Sequence, residues 1–480
     1  MNIFAIILTS IIGLLQIISA LHALLYKKDP RASWVWIIVC LLLPPIGPIL
    51  YFLFGINRVK LKAKKIKWFW PEVIDKDLIL TRDREKLDKA YFRYFVIPPD
   101  FHQLAKISDS ISKFPLLSDN KVEILYNGDE TYASMLYHMR QAKNSIFLQT
   151  YIFEKGKIGK EFVSVLTQAI NRGVDVKVII DGIGEYYALP RIGNFLRKNS
   201  IPFTRFLPPR LYPFSPLINL RNHRKILLID GEVAFTGGIN IRDKHILGSN
   251  NKKNKIQDTH FKLTGPITLQ LEEIFLKDWF FCTGERIKIP RPLPEPKGEA
   301  ICRSITVGPD DDLNSLTILL VGAISLAKEY IYIMNPYFLP TREIIGALQS
   351  AALRGVDVRI VLPQKNNIPY VHWATRNMLW ELLMYGVKIY YQPPPFNHSK
   401  IFVMDGFYSI IGSANMDFRS LRLNFELVVE TFCKKLATQL TQHIKNTIEI
   451  SRETTLHEVD SRALLTKIRD SICWLFTPYL

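Results

Sequence analysis

Apolar residues fill two long stretches at the start of the chain and then give way to a regular alternation. No Asp, Glu, Lys or Arg occurs from Met1 to Tyr26, and none from Ala32 to Asn57. As a helix, each run is long enough to cross roughly 30 Å of hydrocarbon. A cleaved leader would carry Lys or Arg ahead of its apolar core, and this chain has none there. The pattern predicts a two-span hairpin over 1–57, turning at "KKDPR" (27–31). Pro44, Pro45 and Pro48 should kink the second span or make part of it re-entrant.

Residues 58–119 have no clear period and read as a basic juxtamembrane connector. From Lys121 the pattern becomes regular. "VEILYN" reads as a strand, 129–143 as a helix and "SIFLQTYIF" as a strand. An amphipathic helix over 158–171 stops at Gly173 and leads into the strand "VDVKVIID". Such alternation predicts an α/β class with a largely parallel or mixed sheet.

The pattern then recurs. "AKNSIFLQTYIF" (142–153) returns as "AKEYIYIMNPYF" (327–338), and "RGVDVKVII" (172–180) as "RGVDVRIVL" (354–362). "NHRKILLIDGEVAFTGGIN" (222–240) returns as "NHSKIFVMDGFYSIIGSAN" (397–415), with 8 of 19 positions identical. Unrelated segments would share about one, so the body is a duplicated domain. Its two lobes are expected at 120–300 and 301–480.

The last pair poses a chemical question. A strand apolar on both faces belongs in the middle of a covered sheet, yet this one opens with histidine and lysine. Buried lysine costs free energy unless an anion meets it. One copy could be a half-exposed strand end, but packing gives no reason to keep His223/His398, Lys225/Lys400 and Asn240/Asn415 in both. Asp230 and Asp405 recur too and join the candidate set. Strand alternation puts them on the opposite face, which favours a structural part.

The net charge of +18 points the same way, towards acidic lipid, nucleic acid or phosphorylated substrates. Arg58, Lys60, Lys62, Lys64, Lys65 and Lys67 follow the second apolar run, six cations against three in the hairpin loop. That excess places the body in the cytoplasm, and the neighbouring Trp68, Phe69 and Trp70 suit an anionic membrane surface. The five cysteines are scattered, without zinc spacing or a disulfide framework, and are expected as reduced thiols.

If the two copies meet about a pseudo-twofold axis, two imidazoles, two ammonium groups and two asparagine amides converge. That set suits a phosphoryl group. No carboxylate cluster resembling a magnesium site accompanies it, so no metal and no cofactor is expected. One histidine can attack phosphorus while the other gives a proton to the leaving oxygen and later takes one from the acceptor. Each imidazole also needs an acceptor on its other nitrogen. Asp258, in "IQDTHFKLTGP", and Glu426, in "LRLNFELVVE", are the candidates. His260 is a weaker site candidate, and the remaining histidines read as ordinary.

The paired His-x-Lys-x4-Asp motifs with their trailing Gly-Gly-x-Asn and Gly-Ser-x-Asn resemble those of the phospholipase D superfamily. More narrowly, "DPRASWVWIIVCLLLPPIGPILYFLFG", "NPYFLP", "GSANMDFRSLRLNFE" and "CWLFTPYL" are similar to segments of bacterial cardiolipin synthases. The resemblance covers nearly the whole chain, with 68–119 contributing little. It implies two lobes, each a mixed sheet flanked by helices, with one site between them. It further implies metal-free transfer of a phosphatidyl group between two phosphatidylglycerol molecules at the bacterial inner membrane, with glycerol released. His223 would then be the nucleophile and His398 the general acid and base. Lys225, Lys400, Asn240 and Asn415 would hold the phosphate, and Asp258 and Glu426 would orient the imidazoles. The resemblance suggests that each carboxylate serves the other lobe's histidine; the residues alone leave that pairing open. Asn397 departs from the family's usual apolar residue before the second histidine, which bears on the acceptor alcohol. Three other readings use the same residues: a hydrolytic phospholipase D, a membrane-anchored nuclease and a non-catalytic lipid-binding scaffold. No nucleic acid partner is expected, because no Lys/Arg stripe with stacking aromatics is visible, and two intact motifs argue against a scaffold.

Overall fold

The computed structural model describes residues 3–27, 30–55, 96–209, 220–248, 254–287, 294–308 and 314–477. They fall into two units, an N-terminal one within residues 1–66 and a body within 67–480. The polybasic stretch and its aromatics lie outside the described residues.

In the first unit the helix Ile3–Tyr26 has 24 residues, about 36 Å at 1.5 Å per residue, which exceeds the hydrocarbon thickness. The helix Pro30–Leu42 has 13, roughly 20 Å, too short to cross as one continuous helix. Gln16 holds the two together by donating to the carbonyls of Cys40 and Leu41 at 3.1 and 2.8 Å. The chain then turns at Pro44–Pro45 into a short helix, Ile46–Leu50. A Cβ on Gly47 would lie 2.0 Å from the Val39 carbonyl oxygen, so only glycine lets this segment fold back so closely. The prolines therefore break the second apolar run into two pieces rather than bending one long helix.

The body carries the duplication in its sheet. The first half supplies β1 (Leu117–Tyr126), β2 (Ser145–Thr150), β3 (Asp175–Asp181), β4 (Phe203–Phe206), β5 (Ile226–Ile229), β6 (Val233–Gly237), β7 (Ile256–Gln257) and β8 (Thr259–Thr264). The second half supplies β9 (Ala300–Val307), β10 (Tyr330–Met334), β11 (Asp357–Pro363), β12 (Lys388–Gln392), β13 (Phe396–Asn397), β14 (Ile401–Met404), β15 (Tyr408–Gly412), β16 (Glu426–Phe432) and β17 (Arg452–Thr454). All but β7 and β13 form one sheet, ordered β17-β12-β11-β10-β14-β15-β16-β9-β1-β8-β6-β5-β2-β3-β4. Read outward from the central β9–β1 pair, the two halves repeat the same sequence of seven strands, and β17 adds an edge strand to the second. In each half three parallel strands (β2–β3–β4, β10–β11–β12) adjoin an antiparallel set.

Local chemistry explains the elements. Every residue of β2 is buried, as a strand covered by helices on both faces requires. The helix Lys157–Asn171 buries Ile158, Phe162, Val165, Leu166 and Ala169 at helical spacing. Gly173 then takes φ 84°, a conformation that L side chains avoid, and turns the chain into β3. Among the described residues a large apolar cluster lies in each half. Residues 97–116, within the stretch expected as connector, place Ile97, Phe101, Leu104 and Leu116 in the second half's core.

Candidate active site

The two His-Lys motifs lie on the lead-ins to β5 and β14. The strand expected from Asn222 onward begins its ladder only at Ile226. Residues 222–225 leave their own sheet and reach the other half: Asn222 bridges Phe425 in parallel, and the His223 N–H donates to the Phe425 carbonyl at 2.9 Å. The second motif does the same. Asn397 pairs with Gln257 in the two-stranded β13–β7 ribbon, and the His398 N–H donates to the Gln257 carbonyl at 2.7 Å.

Each histidine therefore sits beside a carboxylate at the start of a strand from the opposite half, Glu426 opening β16 and Asp258 immediately preceding β8. His223 Nδ1 lies 3.0 and 3.1 Å from the two carboxylate oxygens of Glu426. His398 Nδ1 lies 2.8 Å from Asp258 Oδ2. The pairing left open by the residues is crossed, one carboxylate from each half to the imidazole of the other. Because Nδ1 faces the carboxylate, Nε2 is the nitrogen left for chemistry.

Both lysines are buried. Lys225 donates to the His223 carbonyl at 2.6 Å; Lys400 donates to the His398 carbonyl and lies 2.9 Å from its Nδ1. Burial pushes the Lys225 ammonium down to about 7 against the pull of Glu426, and the charge of Lys400 adds to the push. Lys400 is pushed down to about 8 by burial, against the pull of Asp258. The two halves thus bring their cations within electrostatic reach. Burial lowers both imidazoles as well, and both lysines repel the proton of each; Glu426 offsets much of this at His223, so His398 is lowered further. This cluster is short of negative charge, and an entering anion would relieve it.

The two carboxylates are held differently. Asp258 accepts the Thr259 N–H at 2.8 Å, and burial raises it to about 6. Glu426 takes hydroxyl donations from Ser413 at 2.6 Å and Ser420 at 2.9 Å. Burial alone would raise Glu426, but His223, Lys225 and Ser413 outweigh it and hold it below the ordinary value. A Cβ on Gly238 would lie 2.2 Å from Asp258 Oδ1. The short aspartate therefore needs glycine at the second motif position. The longer glutamate passes Ser413 there and uses its hydroxyl. The Gly-Gly and Gly-Ser endings go with Asp and Glu respectively.

The other expected residues separate into two groups. Asn240 and Asn415 are buried at the ends of β6 and β15. Asn240 Oδ1 accepts the Ile152 N–H at 3.1 Å; Asn415 Nδ2 donates to Ser420 at 3.3 Å. Asp230 and Asp405 stand apart, past the far ends of β5 and β14. Asp230 accepts backbone N–H groups of Lys143, Asn144 and Ser145 at 2.7–2.9 Å. Asp405 accepts those of Lys328, Glu329 and Tyr330 at 2.8–2.9 Å. Each ties a turn to the start of the neighbouring antiparallel strand, an arrangement that fits the structural part suggested by strand alternation. His260 is buried with burial holding it down to about 3, and its Nδ1 accepts the Ile239 N–H. Asn397 belongs to the site's wall: its amide donates to Gln392 and accepts the Ser399 N–H, both at 2.8 Å.

Sequence reasoning missed several neighbours. Tyr151 packs edge-on against His223 at 4.8 Å, and Tyr337 against His398 at 5.8 Å. Both follow the matched strands β2 and β10, and that placement was the available signal. Buried Asp278 receives Asn222, Arg224 and Gln149, pinning the first motif's lead-in. Nothing in the spacing of "LKDWFF" marks it. Among the described residues no three His, Cys, Asp or Glu side chains group as metal ligands.

A family model described as "Cardiolipin synthase, PLD-like domain" matches residues 135–279 and 320–448, more than half of the chain. The chain belongs to this cardiolipin synthase family. Family members similar to it include the "Major cardiolipin synthase ClsA" of Bacillus subtilis (strain 168), 31% identical with 99% of each chain covered. A "Cardiolipin synthase" of Geobacillus kaustophilus (strain HTA426) is 33% identical, covering 96% of this chain and 91% of its own. The fold is shared with a phosphatidylserine synthase of Haemophilus influenzae Rd KW20. The TM-score is 0.62 at 13% identity, over 79% of this chain and all of that one. A second family model, "Phospholipase_D-nuclease N-terminal", matches residues 14–55. Together with the apolar helix Ile3–Tyr26, it makes this cardiolipin synthase family member a membrane-anchored protein.

Proposed function

We propose that the chain is a cardiolipin synthase that moves a phosphatidyl group from one phosphatidylglycerol to another through a phosphatidyl-histidine. The observation that carries this reading is the crossed pair of carboxylate–histidine dyads, Glu426–His223 and Asp258–His398, meeting over two buried lysines. The lipid phosphodiester supplies the anion that Lys225 and Lys400 lack, with the free amide hydrogens of Asn240 as a further donor.

His223 Nε2 attacks phosphorus, and the P–O bond to glycerol breaks as His398, whose imidazolium form the bound phosphodiester's charge restores, gives its Nε2 proton to the departing oxygen. The glycerol hydroxyl of the second phosphatidylglycerol then loses its proton to His398 and attacks phosphorus. The P–N bond breaks and cardiolipin leaves. Two in-line displacements retain configuration at phosphorus. Glu426, held as an anion by two serines, fixes the tautomer of His223 and stabilises the positive charge it gains on attack, which suits the nucleophile.

Membrane placement fits these substrates. We place the broken second apolar segment in the bilayer with the first helix, and the body on the cytoplasmic side, on the strength of the six cations from Arg58 to Lys67. The body is organised as first lobe 120–300 and second lobe 301–480, the central β9–β1 pair joining them.

The test uses the full chain in vesicles of phosphatidylglycerol alone, with chelator present. Glycerol released with an equal amount of cardiolipin supports the reading. Phosphatidic acid in place of cardiolipin would make water the acceptor and the protein a phospholipase. His223→Ala and His398→Ala should each lose both products, by at least 10³-fold, while membrane insertion persists.

A further inference from the structure

We infer that the helix Leu464–Leu475 is a second membrane contact, its outward face lying in the headgroup–acyl boundary of an anionic leaflet. The helix is built the wrong way round for a water-facing surface. Leu464, Leu465, Ile468, Ile472, Leu475 and Phe476 are 46–81% exposed. At 100° per residue these six positions fall within an arc of about 120° that contains no polar side chain. The opposite face carries Asp470, which is fully buried.

Specific contacts fix this orientation. Arg376, on the helix Pro369–Leu383, donates two hydrogen bonds to Asp470 at 2.7 and 2.8 Å, and Arg462 and Arg469 reach the same carboxylate. Ser471 bonds Asn377 at 3.0 Å. Arg469 stacks over Trp373 at 4.4 Å, and Cys473 and Trp474 pack against the second half's core. The helix is thus clamped through charge and pointed outward through six large apolar side chains. A surface helix docked by its own hydrophobicity would do the reverse.

Exposed apolar patches of this size are rare on water-soluble surfaces and mark interaction sites. The occupant is a bilayer for two reasons. The protein is membrane-anchored, so the body already works beside one. The flanks of the stripe are also basic: residues 462–476 carry Arg462, Lys467 and Arg469 against Asp470 alone. An apolar face with basic shoulders is the arrangement of an interfacial helix on acidic lipid.

The experiment places the full chain in phosphatidylglycerol vesicles doped with a phospholipid bearing a diazirine in its acyl chain. After illumination, tryptic peptides are mapped by mass spectrometry. Adducts are expected on Ala463–Lys467 and Asp470–Leu480, besides those on the N-terminal apolar segment, which serve as the internal standard. Leu465→Glu/Ile472→Glu should cut the C-terminal adducts at least fivefold relative to that standard. Its activity in lipid–detergent micelles should be unchanged, since neither side chain is part of the packed core. Adducts confined to the N-terminal segment would overturn the inference. So would C-terminal peptides that are shielded from lipid at high protein density and become labelled only on dilution in the vesicles, which would make the face a protein interface. Labelling does not depend on turnover, so His223→Ala protein tests it equally well.

Discussion

Phe425 accepts the backbone N–H of His223 at 2.9 Å, and the next residue along, Glu426, takes that histidine's ring nitrogen. Gln257 and Asp258 do the same for His398. One register between lead-ins therefore sets both the position of each imidazole and the identity of its acceptor. Since donor and acceptor always come from different halves, neither half alone holds a complete carboxylate–histidine pair.

This register makes Gly238 a point of failure for the chemistry. Its missing Cβ is the space occupied by Asp258 Oδ1, 2.2 Å from where that carbon would stand. Gly238→Ala should displace the carboxylate from His398 and lower kcat by roughly 10²-fold, the scale of removing one positioned acid–base partner. Circular dichroism and Tm should change little by comparison. A variant retaining wild-type kcat would mean that Asp258 has room to move and does not position His398.

Glu426 depends on hydroxyls instead. Ser413→Ala or Ser420→Ala removes one hydrogen bond to a buried carboxylate, an interaction of about 1.5–3 kcal/mol. Each should lower kcat roughly tenfold. In both variants Glu426 should bind a proton more readily, so the acid limb of the kcat profile should move to higher pH. The double variant should lose less than the product of the two, because both serines act on one group. An unshifted acid limb would argue that the serines only pack.

Much of this was legible beforehand. The duplication and both His-Lys pairs recur as sequence patterns, because a repeat exposes what packing alone would not keep; Asp258 and Glu426 were candidates only as carboxylates opening an apolar stretch downstream of each motif. The strand extent was misread at Asn222–Lys225, since pairing with the other half, not local propensity, decides where β5 begins. Pro44, Pro45 and Pro48 marked the break in the second apolar run beforehand; where its pieces lie, up to Leu42 and from Ile46, only the fold shows. Ser420 and Asp278 were invisible for a different reason. Each acts through a partner more than two residues away whose position only the fold supplies.

Asp230 offers a contrast between stability and chemistry. Its carboxylate receives three backbone N–H groups at the start of β2, on a residue whose own φ is 54°. Asp230→Asn keeps the shape and tolerates that φ, but loses the charge and one acceptor oxygen. Stability should fall by about 1–3 kcal/mol, while kcat of the folded fraction stays within about twofold. Loss of kcat without loss of Tm would return Asp230 to the reacting set.

The lysines give a pH dependence whose sign can be stated. Burial has lowered Lys225 to about 7 and Lys400 to about 8, well under the ordinary lysine value. The folded state thus binds fewer protons than the unfolded one between those values and about 10.5. Their burial destabilises the free protein fully below about pH 7 and ceases to matter above about 10.5. An anion between them reverses this, and it binds best where both are charged, which is below about pH 7. Sulfate keeps its charge across the whole range and serves as the probe, with chloride at equal ionic strength as the control. The rise in Tm on adding sulfate should be several-fold larger at pH 6 than at pH 9. In Lys225→Met/Lys400→Met the sulfate effect should shrink to the general salting contribution and become independent of pH. That variant should also be more stable than the parent at pH 6 without sulfate, because two buried charges are gone. Equal sulfate stabilisation of parent and variant at pH 6 would show that the two ammonium groups are not where the anion binds.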